Sequence, residues 1–135
     1  MSFCAEDLRH STSVALSAGT KAVDTVAPCL VYSFGIDDST EWETKVSTIF
    51  GCEVHAFDPT VNHPNTSHVT FHSIGLQGEG TDMAATHAAG YKAIDPSRLF
   101  TLGEIMKKLG HQDRTIDVLM MDCEGVCAQS RFWSV

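Results

Sequence analysis

Four apolar runs in this chain each end in residues that can hold a ligand. Ser33-Phe34-Gly35-Ile36-Asp37-Asp38 closes the first, Asp58-Pro59 the second, Gly75 the third, and Asp122-Cys123-Glu124-Gly125 the fourth. A glycine at such a turn lets a ligand approach the backbone and the N-terminus of the helix that follows, while an acid closing the next strand can accept hydrogen bonds from ribose hydroxyls. Asp58 comes 23 residues after Gly35, the spacing of a strand–turn–helix–strand unit. The chemistry this suggests is the capture of a nucleoside-like ligand. A dinucleotide turn would read G-x-G-x-x-G, whereas Gly35 is the lone glycine here and Asp37, Asp38, Glu41 and Glu43 would repel a pyrophosphate. A ligand carrying a positive sulfonium and an ammonium suits the turn better, and NAD does not.

The elements that must position these residues follow from periodicity and punctuation. Residues 29–34 form a short run of β-formers that stops at Gly35. Thr40 with Glu43 reads as a capping pair opening a helix over 40–50, with Trp42, Val46, Ile49 and Phe50 on its apolar face and Gly51 as its stop. A second strand is expected at 53–57. Asp58-Pro59-Thr60-Val61-Asn62-His63-Pro64-Asn65 then enforces a loop, and a third strand follows at 68–74 with period-two alternation. Residues 75–95, rich in Gly and Ala, read as a long surface loop with one helical turn. Thr101 and Glu104 open a second helix, lined by Leu102, Ile105, Met106 and Leu109 and ended by Gly110. The fourth strand, 116–121, is apolar on both faces after its first two residues, as in a parallel strand covered by helices. The implied fold is α/β, with a parallel sheet in the order 3-2-1-4 built by right-handed crossovers and helices on its faces.

Val31-Tyr32-Ser33-Phe34-Gly35-Ile36, Cys52-Glu53-Val54-His55-Ala56-Phe57-Asp58-Pro59, Phe71-His72-Ser73-Ile74-Gly75-Leu76 and the segment from Ile116 to Gly125 together resemble a methyltransferase-like domain of the FkbM-related group. The resemblance covers about residues 28–125. It implies a Rossmann-like fold that uses S-adenosyl-L-methionine. Ser33, Gly35, Ile36, Asp37, Asp58, Pro59 and Gly75 would then bind the cofactor: the Gly35 turn faces its methionine moiety and Asp58 holds its ribose. Asp122 and Glu124 would border the methyl-transfer pocket. The family often has an acid where this chain has Ser33. Its pattern beyond Glu124-Gly125 continues with an acid, a tryptophan and further strands, from which residues 126–135 diverge. The expected organisation is therefore an N-terminal leader at 1–28, a partial methyltransferase-like domain at 29–125, incomplete at its C-terminus, and a divergent tail at 126–135. The competing expectation is an inactive fragment serving at most as a nucleoside-binding or protein-interaction module. No stretch of the sequence identifies the methyl acceptor. A fourth strand without an outer neighbour would expose a sheet edge and favour self-association.

Composition narrows the remaining choices. Over 135 residues the chain is 43% hydrophobic and holds nine basic against seventeen acidic residues, a net charge of −8. One domain is expected, and a phosphate backbone would be repelled, so nucleic acid is not an expected partner. No apolar run approaches the roughly 20 residues of a membrane span, and no signal peptide is visible, which leaves localisation open. Five cysteines (Cys4, Cys29, Cys52, Cys123, Cys127) without a CxxC pair indicate neither a disulfide framework nor a zinc site, and read as small buried side chains or, for Cys127, a tail thiol. His55, His63, His68 and His72 raise the question of a metal. His68 and His72 share a strand face but stand about 13 Å apart at strand spacing, too far to share an ion, so no metal site is expected.

Overall fold

The computed structural model describes residues 26–78 and 94–122. Along them run β1 (Leu30–Phe34), α1 (Glu41–Phe50), β2 (Glu53–Phe57), β3 (Val69–His72), β4 (Gly75–Leu76), β5 (Leu99–Phe100), α2 (Leu102–Leu109) and β6 (Val118–Met121), with a 3-10 turn at Pro96–Arg98. The leader up to residue 25, any helical turn within 79–93, and the segment from Cys123 through the tail lie outside the described residues.

The main sheet has four parallel strands in the order β3-β2-β1-β6, the 3-2-1-4 order expected from the sequence. β1 is buried along its whole length because helices cover both faces of the sheet. Val31 joins Val54, Ala56, Val69 and Phe71 on one face, against Trp42 and Val46 of α1. Leu30, Tyr32, Phe34 and Phe57 line the other, against Ile105, Leu102, Met106 and Leu109 of α2. This is the doubly covered arrangement that continuous apolar strands require. Asp117 locks β6 in register with β1: its carboxylate accepts from the Leu30 N–H at 2.8 Å, and its own N–H donates to the Leu30 carbonyl. Among the described residues β6 pairs with β1 alone, and its residues are half-buried or exposed rather than fully covered.

The two helices differ in how closely they follow their sequence signals. α2 carries the expected capping box, with the Thr101 hydroxyl accepting from the Glu104 N–H and the Glu104 carboxylate accepting from the Thr101 N–H. Gly110 ends it in the left-handed conformation. α1 begins after Thr40, but that side chain makes no capping bond. Glu43, the expected capping partner, is drawn inward to Ser33 instead. Ile49 and Phe50, expected on the apolar face, are each 69% exposed, whereas Trp42 and Val46 pack against the core.

Two further corrections concern pairings distant in sequence. Gly75 and Leu76, expected to open a loop, form β4, which pairs in parallel with β5 as a separate two-stranded sheet. Cys29 and Cys52, expected as free buried thiols, form a disulfide with Cα atoms 4.6 Å apart. The parallel register sets Leu30 opposite Glu53, so the residues just before them necessarily meet. No helix among the described residues is long and apolar enough to cross a membrane.

Candidate functional site

The carboxyl ends of β1, β2 and β6 meet around one turn. Gly35 leaves β1 with φ 78° and donates its N–H to the Phe57 carbonyl at 2.9 Å. Only a residue without a Cβ takes that conformation cheaply. Asp37 also has a positive φ, 51°. Its strain is offset by a hydrogen bond from its N–H to Asp58 Oδ2 at 3.2 Å. Asp58 is buried just beyond β2, and its Oδ1 accepts from both the N–H and the hydroxyl of Thr60 at 2.8 and 2.6 Å. One carboxylate therefore ties the turn after β1 to the turn after β2. A carboxylate offers about four acceptor positions. Three are occupied by these bonds among the described residues.

The loop after β2 folds back over the same turn. His63 donates its Nε2–H to the Asp37 carbonyl at 2.8 Å and sets its ring edge-on to Phe71. Pro59 closes against Gly75, where an added Cβ would lie 2.7 Å from Leu99 and 2.9 Å from the Pro59 ring. Gly75 is thus required for close approach beneath the site. The Arg98 guanidinium donates to the Pro59 carbonyl at 3.0 Å, anchoring the loop from the β5 side. Asp122, just past β6, donates its N–H to the Phe34 carbonyl at 2.9 Å and so stands next to the Gly35 turn.

Of the residues expected at the site, Gly35, Asp37, Asp58, Pro59 and Asp122 lie around the same strand ends, and Gly75 packs against Pro59. Ile36 turns its side chain into the core with Val31 and Val54, leaving its backbone to the turn. Glu124 lies outside the described residues. Ser33 is spent inside the fold: its hydroxyl donates to Glu43 Oε1 at 2.6 Å, and both residues are buried, at 0% and 2% exposure. Glu43 lies in the first turn of α1, where the helix dipole favours a carboxylate. The pair fixes the start of α1 against the end of β1. Ser33→Ala would leave that buried carboxylate without its hydroxyl donor, and is expected to lower stability by about 1.5 kcal/mol. Urea denaturation of both proteins checks this, and superimposable curves would show that Glu43 does not depend on Ser33.

A second polar group occupies the α2 face of the sheet, and the sequence reading missed it. Glu53 Oε1 accepts from His55 Nε2 at 2.9 Å and lies 3.5 Å from His111 Nε2. His55 Nδ1 meets His72 Nε2 at 2.9 Å, and His111 Nδ1 meets the Tyr32 hydroxyl at 2.7 Å. Arg114 binds the other oxygen of Glu53. Burial drives His72 and Tyr32 toward their neutral forms: His72 is lowered to about 4, with the neighbouring His55 and His111 adding to the effect, and the Tyr32 phenol is raised to about 12. For Glu53 burial also favours the neutral form and pushes the carboxyl up, but hydrogen bonds from His55 and Arg114 outweigh it and hold the carboxyl below its usual range. His111 comes 56 residues after His55, and no sequence pattern links the two.

A parallel sheet covered by helices on both faces, with a glycine turn and a buried acid at adjacent strand ends, defines a Rossmann-like α/β domain. The sequence profile of a family described as a methyltransferase domain matches residues 19–133, most of the chain, and the chain belongs to that family. It is 33% identical over 100 residues to the human "Probable methyltransferase-like protein 24". Those residues make up 71% of this chain and 25% of that relative, so the chain spans about a quarter of the relative's length. No solved structure matches the chain.

Proposed function

We propose that this chain carries the S-adenosyl-L-methionine site of a methyltransferase, formed at the carboxyl ends of β1, β2 and β6. The single observation that carries this reading is the Asp58 carboxylate, buried at the end of β2 and bonded to both the turn after β1 and the turn after β2. Membership of a methyltransferase-domain family supports it, since such domains generally use this cofactor. In the proposed complex Asp58 holds a ribose hydroxyl and the Gly35 turn offers its backbone to the methionine moiety. Asp37 and Asp122 supply negative charge for the ammonium and sulfonium. Pro59 and Gly75 shape the floor, and Ser33 acts indirectly through Glu43. Asp122 and Glu124 border the transfer pocket in this reading. The strand motifs at 31–36, 52–59, 71–76 and 116–125 favour the FkbM-related group within the wider family, and a domain at 29–125.

When bound, the cofactor supplies an electrophilic methyl group. The chain's own part is to bind and orient it, and to place carboxylates beside the positive charge that is lost on transfer.

Thermal shift with separate ligands tests the proposal. A ligand present at 100 times its dissociation constant should stabilise the fold by about 2.7 kcal/mol. Adenosylmethionine and adenosylhomocysteine are expected to raise the melting temperature and NAD to leave it unchanged. A shift with NAD alone would overturn the assignment.

A further inference from the structure

We propose that Glu53, His55 and His111 form a zinc site on the α2 face of the sheet, remote from the strand ends that bind the cofactor in the reading above. One donor atom from each of these residues lies within 4.8 Å of the others, the single such group among the described residues. Zinc binds imidazole nitrogen and carboxylate oxygen at about 2.0–2.2 Å, which sets the ligands of a tetrahedron roughly 3.3 Å apart. The separations of 2.9 Å from Glu53 Oε1 to His55 Nε2 and 3.5 Å to His111 Nε2 bracket that value.

The atoms behind the ligands are arranged as zinc ligation needs. A metal-bound imidazole donates its other N–H to a fixed acceptor, which sets the tautomer and aims the lone pair. His55 can donate Nδ1–H to His72 Nε2 and His111 can donate Nδ1–H to the Tyr32 oxygen, and both choices free Nε2 for the metal. Arg114 holds Glu53 Oε2, which leaves Oε1 facing the imidazoles. The guanidinium also opposes the cation, so binding is expected to be weaker than at a site with an unpaired carboxylate. The two histidines are about nine-tenths buried while Glu53 is one-third exposed, so an ion would enter past Glu53. Two histidines and one carboxylate leave a fourth position for water.

The site would link β2 to the segment following α2. Glu53 is the first residue of β2 and Asp58 follows its last, so strand rise separates the two regions by roughly 16 Å along β2. A bound ion is therefore expected to stabilise the fold without contacting the cofactor. Histidines 63 and 68 play no part in it. His68 and His72, too far apart along one stretch of chain to share an ion, differ in this from Glu53, His55 and His111, which come from β2 and the turn after α2.

The test uses the oxidised chain, with thiols other than the Cys29–Cys52 pair alkylated so that sulfur cannot contribute. Zinc is titrated by calorimetry, and cobalt(II) is added as a spectroscopic stand-in. One equivalent of zinc is expected, with visible cobalt bands of four- or five-coordinate intensity and a higher melting temperature. His111→Gln and Glu53→Gln should each weaken binding at least 100-fold, Tyr32→Phe about 10-fold as a partner behind a ligand, and a His63→Gln/His68→Gln double variant not at all. Affinity unchanged by His111→Gln and Glu53→Gln, or cobalt bands that persist in both, would overturn the proposal. So would the absence of any stoichiometric zinc binding to the folded chain, in which case the cluster is a hydrogen-bond network alone. Adenosylmethionine binding is read separately on the same variants, so failure of the zinc site leaves the cofactor assignment untouched.

Discussion

Asp58→Ala is expected to weaken adenosylmethionine binding roughly 10- to 150-fold, the equivalent of about 1.5–3 kcal/mol for a hydrogen bond to a charged group. The expectation starts from the position of Asp58, buried at the end of β2 with both carboxylate oxygens engaged. Alanine removes the proposed ribose contact. It also releases the Asp37 N–H and the two Thr60 donors, so the turn after β1 loses the bond that offsets its left-handed residue. Asp58→Asn separates these effects, since the amide keeps an acceptor for Thr60 but cannot accept from both sides. Titration calorimetry should order the affinities as wild type, then asparagine, then alanine. Equal affinity for all three, with the fold intact, would remove Asp58 from the site.

Loss of the Cys29–Cys52 disulfide is expected to cost about 3 kcal/mol of folding stability. The crosslink closes a segment with a sequence separation of 23, and the loop entropy withheld from the unfolded chain sets the magnitude. That segment contains all of β1 and α1, so the bond fixes the start of the central strand against its neighbour. Because the site turns lie at the other end of these strands, stability should fall while ligand affinity, measured where both forms are folded, stays the same. Urea denaturation of the oxidised chain and of Cys29→Ser/Cys52→Ser is the check. Coincident midpoints would show that the strand pairing holds its register without the crosslink. Disulfides persist in oxidising surroundings. In reducing ones the domain would lack this contribution.

Much of this architecture can be read from the sequence because its signals are local. Gly35 after an apolar run, Gly51 and Gly110 after amphipathic helices, and Asp58 at the end of 53–57 each mark a boundary within a few residues, and all four mark real boundaries. Strand order then follows from the handedness of the crossovers. What the sequence hides depends on register. Cys29 meets Cys52 only because Leu30 lies opposite Glu53. Glu43 abandons its expected helix cap because Ser33, ten residues earlier, stands under the first turn of α1 and offers a better-enclosed partner. The histidines escape for the same reason: His55, His72 and His111 converge across two strands and a turn, and an argument limited to one strand sees only residues too far apart.

In the proposed complex adenosylmethionine binds at the strand ends around Gly35 and Asp58. Amide chemical shifts of the labelled chain, recorded while adenosylhomocysteine is added, test it most directly. Saturable shifts are expected at Gly35, Ile36, Asp37, Asp58, Thr60 and Asp122, with Glu53, His55 and His111 unmoved. Shifts confined to other surfaces, or the same shifts produced by NAD, would contradict it.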